Sequence, residues 1–219
     1  MTLEALIAPL RHSPRLVEAV DLLQEQIRKE RGRREKFYEE MTDDQKIEFI
    51  DGEVVLHSPA RNAHLDVTAN ISTLLRTFVQ KRKLGEVKVE KCLCVFPRND
   101  YEPDVVFFGP AKVATFAPAT MKFPMPDLTI EVLSESTEPR DRGVKYEDFE
   151  AHGVGEYWIV DADREVVEQY VLRGGAFELV LKSGTGELRS ELVGGFRVPV
   201  RAFFDAEEHL AALRGLLGD

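Results

Sequence analysis

The run Leu-Thr-Ile-Glu-Val-Leu at 128–133 most restricts the folds open to this chain. It reads as a central strand, yet a carboxylate sits in the middle of it. A buried carboxylate is unfavourable unless it is paired, hydrogen-bonded or bound to a metal, so Glu131 demands a partner from elsewhere in the fold. A second acid of this kind, Asp104, follows Pro103 and opens the apolar run Val105-Val106-Phe107-Phe108. On neighbouring strands the two carboxylates would converge, either in structural ion pairs or on one hard cation such as Mg2+, which takes oxygen ligands.

Two further acids bear on the same question. Glu48 lies between Ile47 and Phe49 in apolar surroundings, and Asp141 stands four residues before Lys145. That spacing puts both on one face of a helix, where the ammonium can reach a cluster of carboxylates. Each has a plainer reading: Lys145 as a solvated helix lysine, Asp141 as an acid meeting free N–H groups at a helix start.

The rest of the pattern predicts a mixed α/β sheet flanked by helices. Leu16, Val20, Leu23 and Ile27 recur at helical spacing and predict a helix over 13–41, with a densely charged stretch at 28–40. Asp51-Gly52 between two short apolar runs predicts a β-hairpin over 46–57. A long amphipathic helix over 63–83 precedes Gly85, and strands are expected at 87–96, 104–108 and 127–133. A helix over 142–152, strands at 156–160, 166–172 and 177–181, and a final helix over 206–217 complete the reading. Hairpins without strict βαβ alternation point away from a doubly wound fold.

Composition closes off other classes. The 39 acidic against 29 basic residues give a net charge of -10, which excludes a uniformly basic shell, so a polyanion must meet a local patch. With Cys92 and Cys94 as the two cysteines, neither a disulfide framework nor a cysteine-rich zinc site can be built, and packed core thiols in a reducing cytoplasm are expected. The uncharged opening stretch, Ala5 to Leu10, falls far short of the roughly 18 apolar residues of a spanning helix, so no membrane association is expected. No internal repeat is visible, and one folding unit is the simplest organisation. Trp158 reads as core, His64 as a partly buried or capping histidine, and the basic residues from Arg28 to Lys36 as a solvated face or a contact for a DNA backbone.

Six segments stand in order along the chain: Ile47-Glu48-Phe49-Ile50-Asp51-Gly52-Glu53, Ser58-Pro59 with His64, Pro103-Asp104-Val105-Val106, Ile130-Glu131-Val132-Leu133-Ser134, Asp141 with Lys145, and the run from Gly153 to Asp161. Taken together they resemble the Uma2 family of the PD-(D/E)XK nuclease superfamily. The resemblance implies a restriction-endonuclease-like core over 45–219 behind an N-terminal helical extension over 1–44. It implies Asp104, Glu131, the Val132 carbonyl and Glu48 as ligands of Mg2+, with Mn2+ as substitute, and Lys145 as the catalytic lysine. The motif lysine expected two residues after Glu131 is Leu133, so Lys145 takes its place, and a tyrosine of the family pattern is Phe149. The implied activity is metal-assisted hydrolysis of DNA phosphodiester bonds, carried out by a homodimer. The alternative is a non-catalytic member of the same fold that binds nucleic acid or protein.

Overall fold

The computed structural model describes residues 3–42 and 44–218. Two helices come first, α1 (Leu3–Arg11) and α2 (Leu16–Glu40). The predicted helix over 13–41 is α2; α1 was not expected. One face of α2 changes character along its length. Leu16, Val20, Leu23 and Ile27 remain 37–51% exposed, whereas Glu30 and Phe37 are buried. Arg34, on the same face, donates to Asp100 (2.7 Å) and to the carbonyls of Phe96 (2.6 Å) and Asn99 (3.0 Å).

The hairpin of β1 (Ile47–Ile50) and β2 (Glu53–Leu56) turns through Asp51 and Gly52, both at positive φ. Helix α3 (Asn62–Arg82) follows and buries Ile71, Leu74, Leu75 and Phe78. The single strand expected at 87–96 is two strands in different sheets, β3 (Glu86–Val89) and β4 (Leu93–Val95). Between them Glu90 and Lys91 both adopt positive φ, 41° and 45°, and turn the chain from one sheet to the other. No glycine marks that reversal in the sequence.

Next come β5 (Asp100–Tyr101), β6 (Val105–Phe108), the short α4 (Pro110–Val113), β7 (Lys122–Phe123) and β8 (Leu128–Val132). A crossover through α5 (Glu138–Asp141) and α6 (Val144–Ala151) leads to β9 (Glu156–Asp161), β10 (Val166–Arg173) and β11 (Ala176–Ser183). The chain closes with β12 (Glu187–Arg189), β13 (Arg197–Pro199), a 3-10 turn at Val200–Phe203 and α7 (Ala206–Gly218).

One sheet has six strands in the order β11-β10-β9-β8-β6-β3, a second has five in the order β2-β1-β5-β4-β7, and β12 pairs with β13. Pairing is antiparallel except at β8–β9 and β4–β7, so the sheets are mixed. The fold class read from the hairpins is the one observed. Among the described residues no helix is long and apolar enough to cross a membrane.

Strand alternation decides which side of the six-stranded sheet each residue serves. Leu128, Ile130, Val132 and Trp158 face a core built with α3 and α7. Val106, Phe108, Tyr157 and Ile159 face the other way, into a core with Phe149 of α6 and with Phe96, Tyr101 and the free thiols of Cys92 and Cys94. Glu131 has the parity opposite to Ile130, so it points into the second side, toward α6 and the five-stranded sheet.

Candidate functional site

Strands β6 and β8 run antiparallel with Val105 opposite Ile130, so Asp104 and Glu131 are the next pair along. The two acids of the sequence reading are therefore neighbours at one end of the sheet. Asp104 Oδ2 accepts the Val132 N–H at 2.9 Å, and Oδ1 accepts the Lys46 ammonium at 2.7 Å with His64 Nε2 at 3.4 Å.

Lys145 is 2% exposed and lies among three carboxylates: Glu131 at 2.8 Å, Glu48 at 3.0 Å and Asp141 at 3.3 Å. The helix predicted over 142–152 begins later than expected, because the chain breaks between α5 and α6 at Arg142 and Gly143. Asp141 ends α5 and Lys145 lies in the first turn of α6, yet the pair still meets. A side chain at 143 would bring its Cβ within 2.7 Å of the Pro139 carbonyl, so glycine permits the break.

Glu48 is fully buried, and its two oxygens differ: Oε2 has no hydrogen-bond partner among the described residues. Oε1 accepts the Glu102 N–H at 2.9 Å besides Lys145, and Oε2 lies 2.9 Å from His57 Nε2. Leu133, standing at the position where the motif name places lysine, packs against the aromatic core instead. Phe149 is sealed among Phe96, Tyr101 and Tyr157, with ring centroids 5.1–5.3 Å away, so no hydroxyl joins the polar cluster there.

Four buried carboxylates thus face two lysines, and their ionisation reflects the imbalance. Burial pushes the Glu131 carboxyl well above the ordinary range, with Asp141, Asp104 and Glu48 adding to the effect against Lys145. Burial also raises Asp141. Burial opposes the charge on Glu48, but Lys145 and His57 outweigh it and hold that carboxyl at about 2. At Asp104 burial is outweighed by His64 and Lys46, and the carboxyl is lowered. Burial disfavours the Lys145 ammonium, yet the surrounding acids raise its pKa and keep it charged.

All of this cluster except Glu48 lines a cavity of about 980 Å3, together with His57, Arg61, His64, Val132 and Arg140. A second cavity of the same volume, lined by Arg76, Lys83 and Lys88, contains none of these acids; the chemistry assigns the site to the first. Among the described residues no three His, Cys, Asp or Glu side chains converge as ready-made ion ligands. The point shared by Glu48, Glu131 and Asp141 is held by the Lys145 ammonium.

Sequence reasoning did not single out Lys46, His57 or Arg140. Lys46 pairs with an acid 58 residues away, which no local pattern signals. His57 directly precedes Ser58-Pro59 at the end of the hairpin, and that position was the available clue.

A family model described as "Uma2: Putative restriction endonuclease" matches residues 34–201. No curated protein is matched. Among solved structures, a protein of Anabaena variabilis described as "a putative nuclease belonging to DUF820" is similar with a TM-score of 0.66 at 15% identity. The match covers 82% of this chain and 97% of that one, and at such identity it speaks for the fold.

Proposed function

The chain belongs to the Uma2 family, and from that membership we propose that it is a metal-dependent endonuclease hydrolysing DNA phosphodiester bonds. The observation that carries this reading is the buried Lys145 shared by Glu48, Glu131 and Asp141 on the cavity floor beside Asp104. Perturbed acids and a cation gathered in a cleft are characteristic of catalytic sites.

Mg2+, with Mn2+ as substitute, fits the donor set by chemistry. Asp104 and Glu131 bring carboxylate oxygens to the cavity, Val132 lines it between them and α5, and a divalent cation there would favour the ionised form of Glu131 that burial disfavours. The ion would supply Lewis-acid polarisation of the phosphate. Glu48, a ligand by resemblance, does not line the cavity and its Oε1 meets both the Glu102 N–H and Lys145, which favours a part in holding Lys145. Lys145, fixed by three acids and kept protonated, would donate to charge developing on the phosphoryl group. Lys46 and His64 would hold Asp104 in place, and two copies acting together would cut both strands of a duplex. The division into an extension over 1–44 and a nuclease domain over 45–219, and a cytoplasmic location, belong to the same proposal.

One observation favours a second reading, a non-catalytic module that binds nucleic acid or protein. Asp104 and Glu131 already have lysine partners, at 2.7 and 2.8 Å, so the floor stands without an ion. Cleavage of supercoiled and linear DNA with Mg2+ or Mn2+ separates the two. Metal-dependent nicking by the wild type, lost in Asp104→Asn and Glu131→Gln, supports the nuclease. Salt-sensitive DNA binding with no cleavage at any metal concentration refutes it and supports the module.

A further inference from the structure

The basic side chains of the cavity are not equivalent. Lys46 has Asp104 at 2.7 Å, Lys145 has Glu131 at 2.8 Å, and Arg61 reaches Glu135 at 3.4 Å. Arg140 lines the same cavity and, among the described residues, forms no ion pair. Its Nη2 makes one long hydrogen bond, 3.4 Å, to the Ser136 carbonyl, and its Nε is buried with no acceptor. In a chain with 39 acidic and 29 basic residues, a guanidinium without a carboxylate is the less expected outcome. A buried N–H left unpaired is unfavourable, and such groups occur where a ligand completes them.

The loop that presents Arg140 is fixed by its own hydrogen bonds. The Ser134 N–H donates to Thr137 Oγ1 at 3.2 Å, the Thr137 N–H donates to Ser134 Oγ at 3.3 Å, and the Arg140 N–H donates to the Thr137 carbonyl at 2.8 Å. The next residue, Asp141, holds Lys145. Arg140 is therefore tied to the acid floor by a single peptide unit. The lysines of that floor are taken up by its acids, so a strand of phosphodiesters entering the cavity needs a cation whose charge is not already spent on one. A guanidinium offers Nε and Nη as a planar fork matched to two oxygens of a phosphate.

We propose that Arg140 binds the non-bridging oxygens of a substrate phosphodiester and holds the strand over the acid floor. The assignment rests on the nuclease reading and adds to it the group that receives the phosphate. Among the described residues lining the cavity, His57 Nε2 and His64 Nδ1 are also buried without a hydrogen-bond partner, but each ring lies against a carboxylate, Glu48 at 2.9 Å and Asp104 at 3.4 Å, whereas Arg140 has no acid beside it.

The test is binding of a fluorescent duplex to the full chain in EDTA, measured by anisotropy over a range of salt concentrations. Wild type, Arg140→Gln and Arg140→Lys are compared, with circular dichroism to verify folding. Arg140→Gln should weaken binding roughly 10-fold and flatten the plot of log K against log salt by about 0.9, the loss of one phosphate contact. Arg140→Lys should keep the slope and lose a few-fold in affinity, since the charge remains and the fork does not. With Mg2+, Arg140→Gln should raise KM by a similar factor with kcat little changed. Parallel salt plots for wild type and Arg140→Gln overturn the assignment and leave the arginine a loop-packing residue, with the nuclease reading intact. A wild type that neither binds DNA in a salt-dependent way nor cleaves it overturns both.

Discussion

Replacing Lys145 by methionine, which keeps the length of the side chain and removes its charge, isolates the electrostatics of the floor. The ammonium is 2% exposed with three carboxylate oxygens within 3.3 Å, so the substitution leaves three buried acids without their cation. Breaking a buried ion pair by deleting one partner costs about 3–5 kcal/mol. Against a domain stability of about 5–15 kcal/mol that is a large fraction, and for a chain of this size it lowers the melting temperature by about 6–20 °C. The deficit depends on pH with a definite sign. Without the lysine, burial and mutual repulsion raise the folded-state pKa values of Glu48, Glu131 and Asp141 above their unfolded values. Between those limits the native state binds more protons than the unfolded one, so stability falls as pH rises. Urea unfolding at pH 4.5 and pH 7.5 should therefore show a small deficit at the lower pH and the full one at the higher. Adding Glu131→Gln to Lys145→Met should restore about 1–3 kcal/mol, since it removes one of the stranded charges. A Lys145→Met protein that melts with the wild type at both pH values would refute the reasoning. The experiment also decides how loss of cleavage in Lys145 variants is read, because a variant that is partly unfolded says nothing about chemistry.

Gly85 has φ +143°, and an added Cβ would lie 2.0 Å from the Phe108 carbonyl oxygen, so Gly85→Ala should destabilise by about 2–4 kcal/mol in denaturant titrations. Phe149→Tyr, which restores the family tyrosine, forces a hydroxyl into a ring cluster with no exposure and should lower stability by about 1–3 kcal/mol without raising activity. Burial opposes the charge on Glu168, but Arg142, Tyr170 and Lys182 outweigh it and hold the carboxyl at about 2. That stabilisation is complete above the ordinary carboxylate range and is lost as pH falls toward 2. Glu168→Gln should accordingly flatten the acid limb of a stability–pH profile by about 1–2 kcal/mol, the pair being reduced by solvent around the two cations.

Asp104 and Glu131 were legible because a carboxylate at or within an apolar strand demands a partner, and because the combined family pattern singled out these two. Their adjacency is a matter of register between β6 and β8, which the sequence does not state. Lys145 was legible through its spacing from Asp141, even though the helix that was to carry both is broken between them. Lys46 was not, because a lysine at the start of a hairpin looks solvated until its acid partner arrives from another sheet. The reversal at Glu90-Lys91 escaped because left-handed backbone at two non-glycine residues has no compositional mark. Helix α1 was hidden in a different way: Pro9 interrupts its short run of apolar residues, and propensity alone gives such a segment little weight.

The order in which the floor is assembled has a consequence for synthesis. Its acids come at 48, 104, 131 and 141, and the lysine that joins three of them comes last, at 145. A nascent chain that has emerged only as far as β8 holds Glu48, Asp104 and Glu131 with Lys46 as the only lysine of the floor yet made. In such a chain Asp104 already has Lys46 within reach, whereas Glu131 would be buried without the lysine that meets it at 2.8 Å in the finished fold. The residue made last is thus the one that lets Glu48, Glu131 and Asp141 be buried side by side.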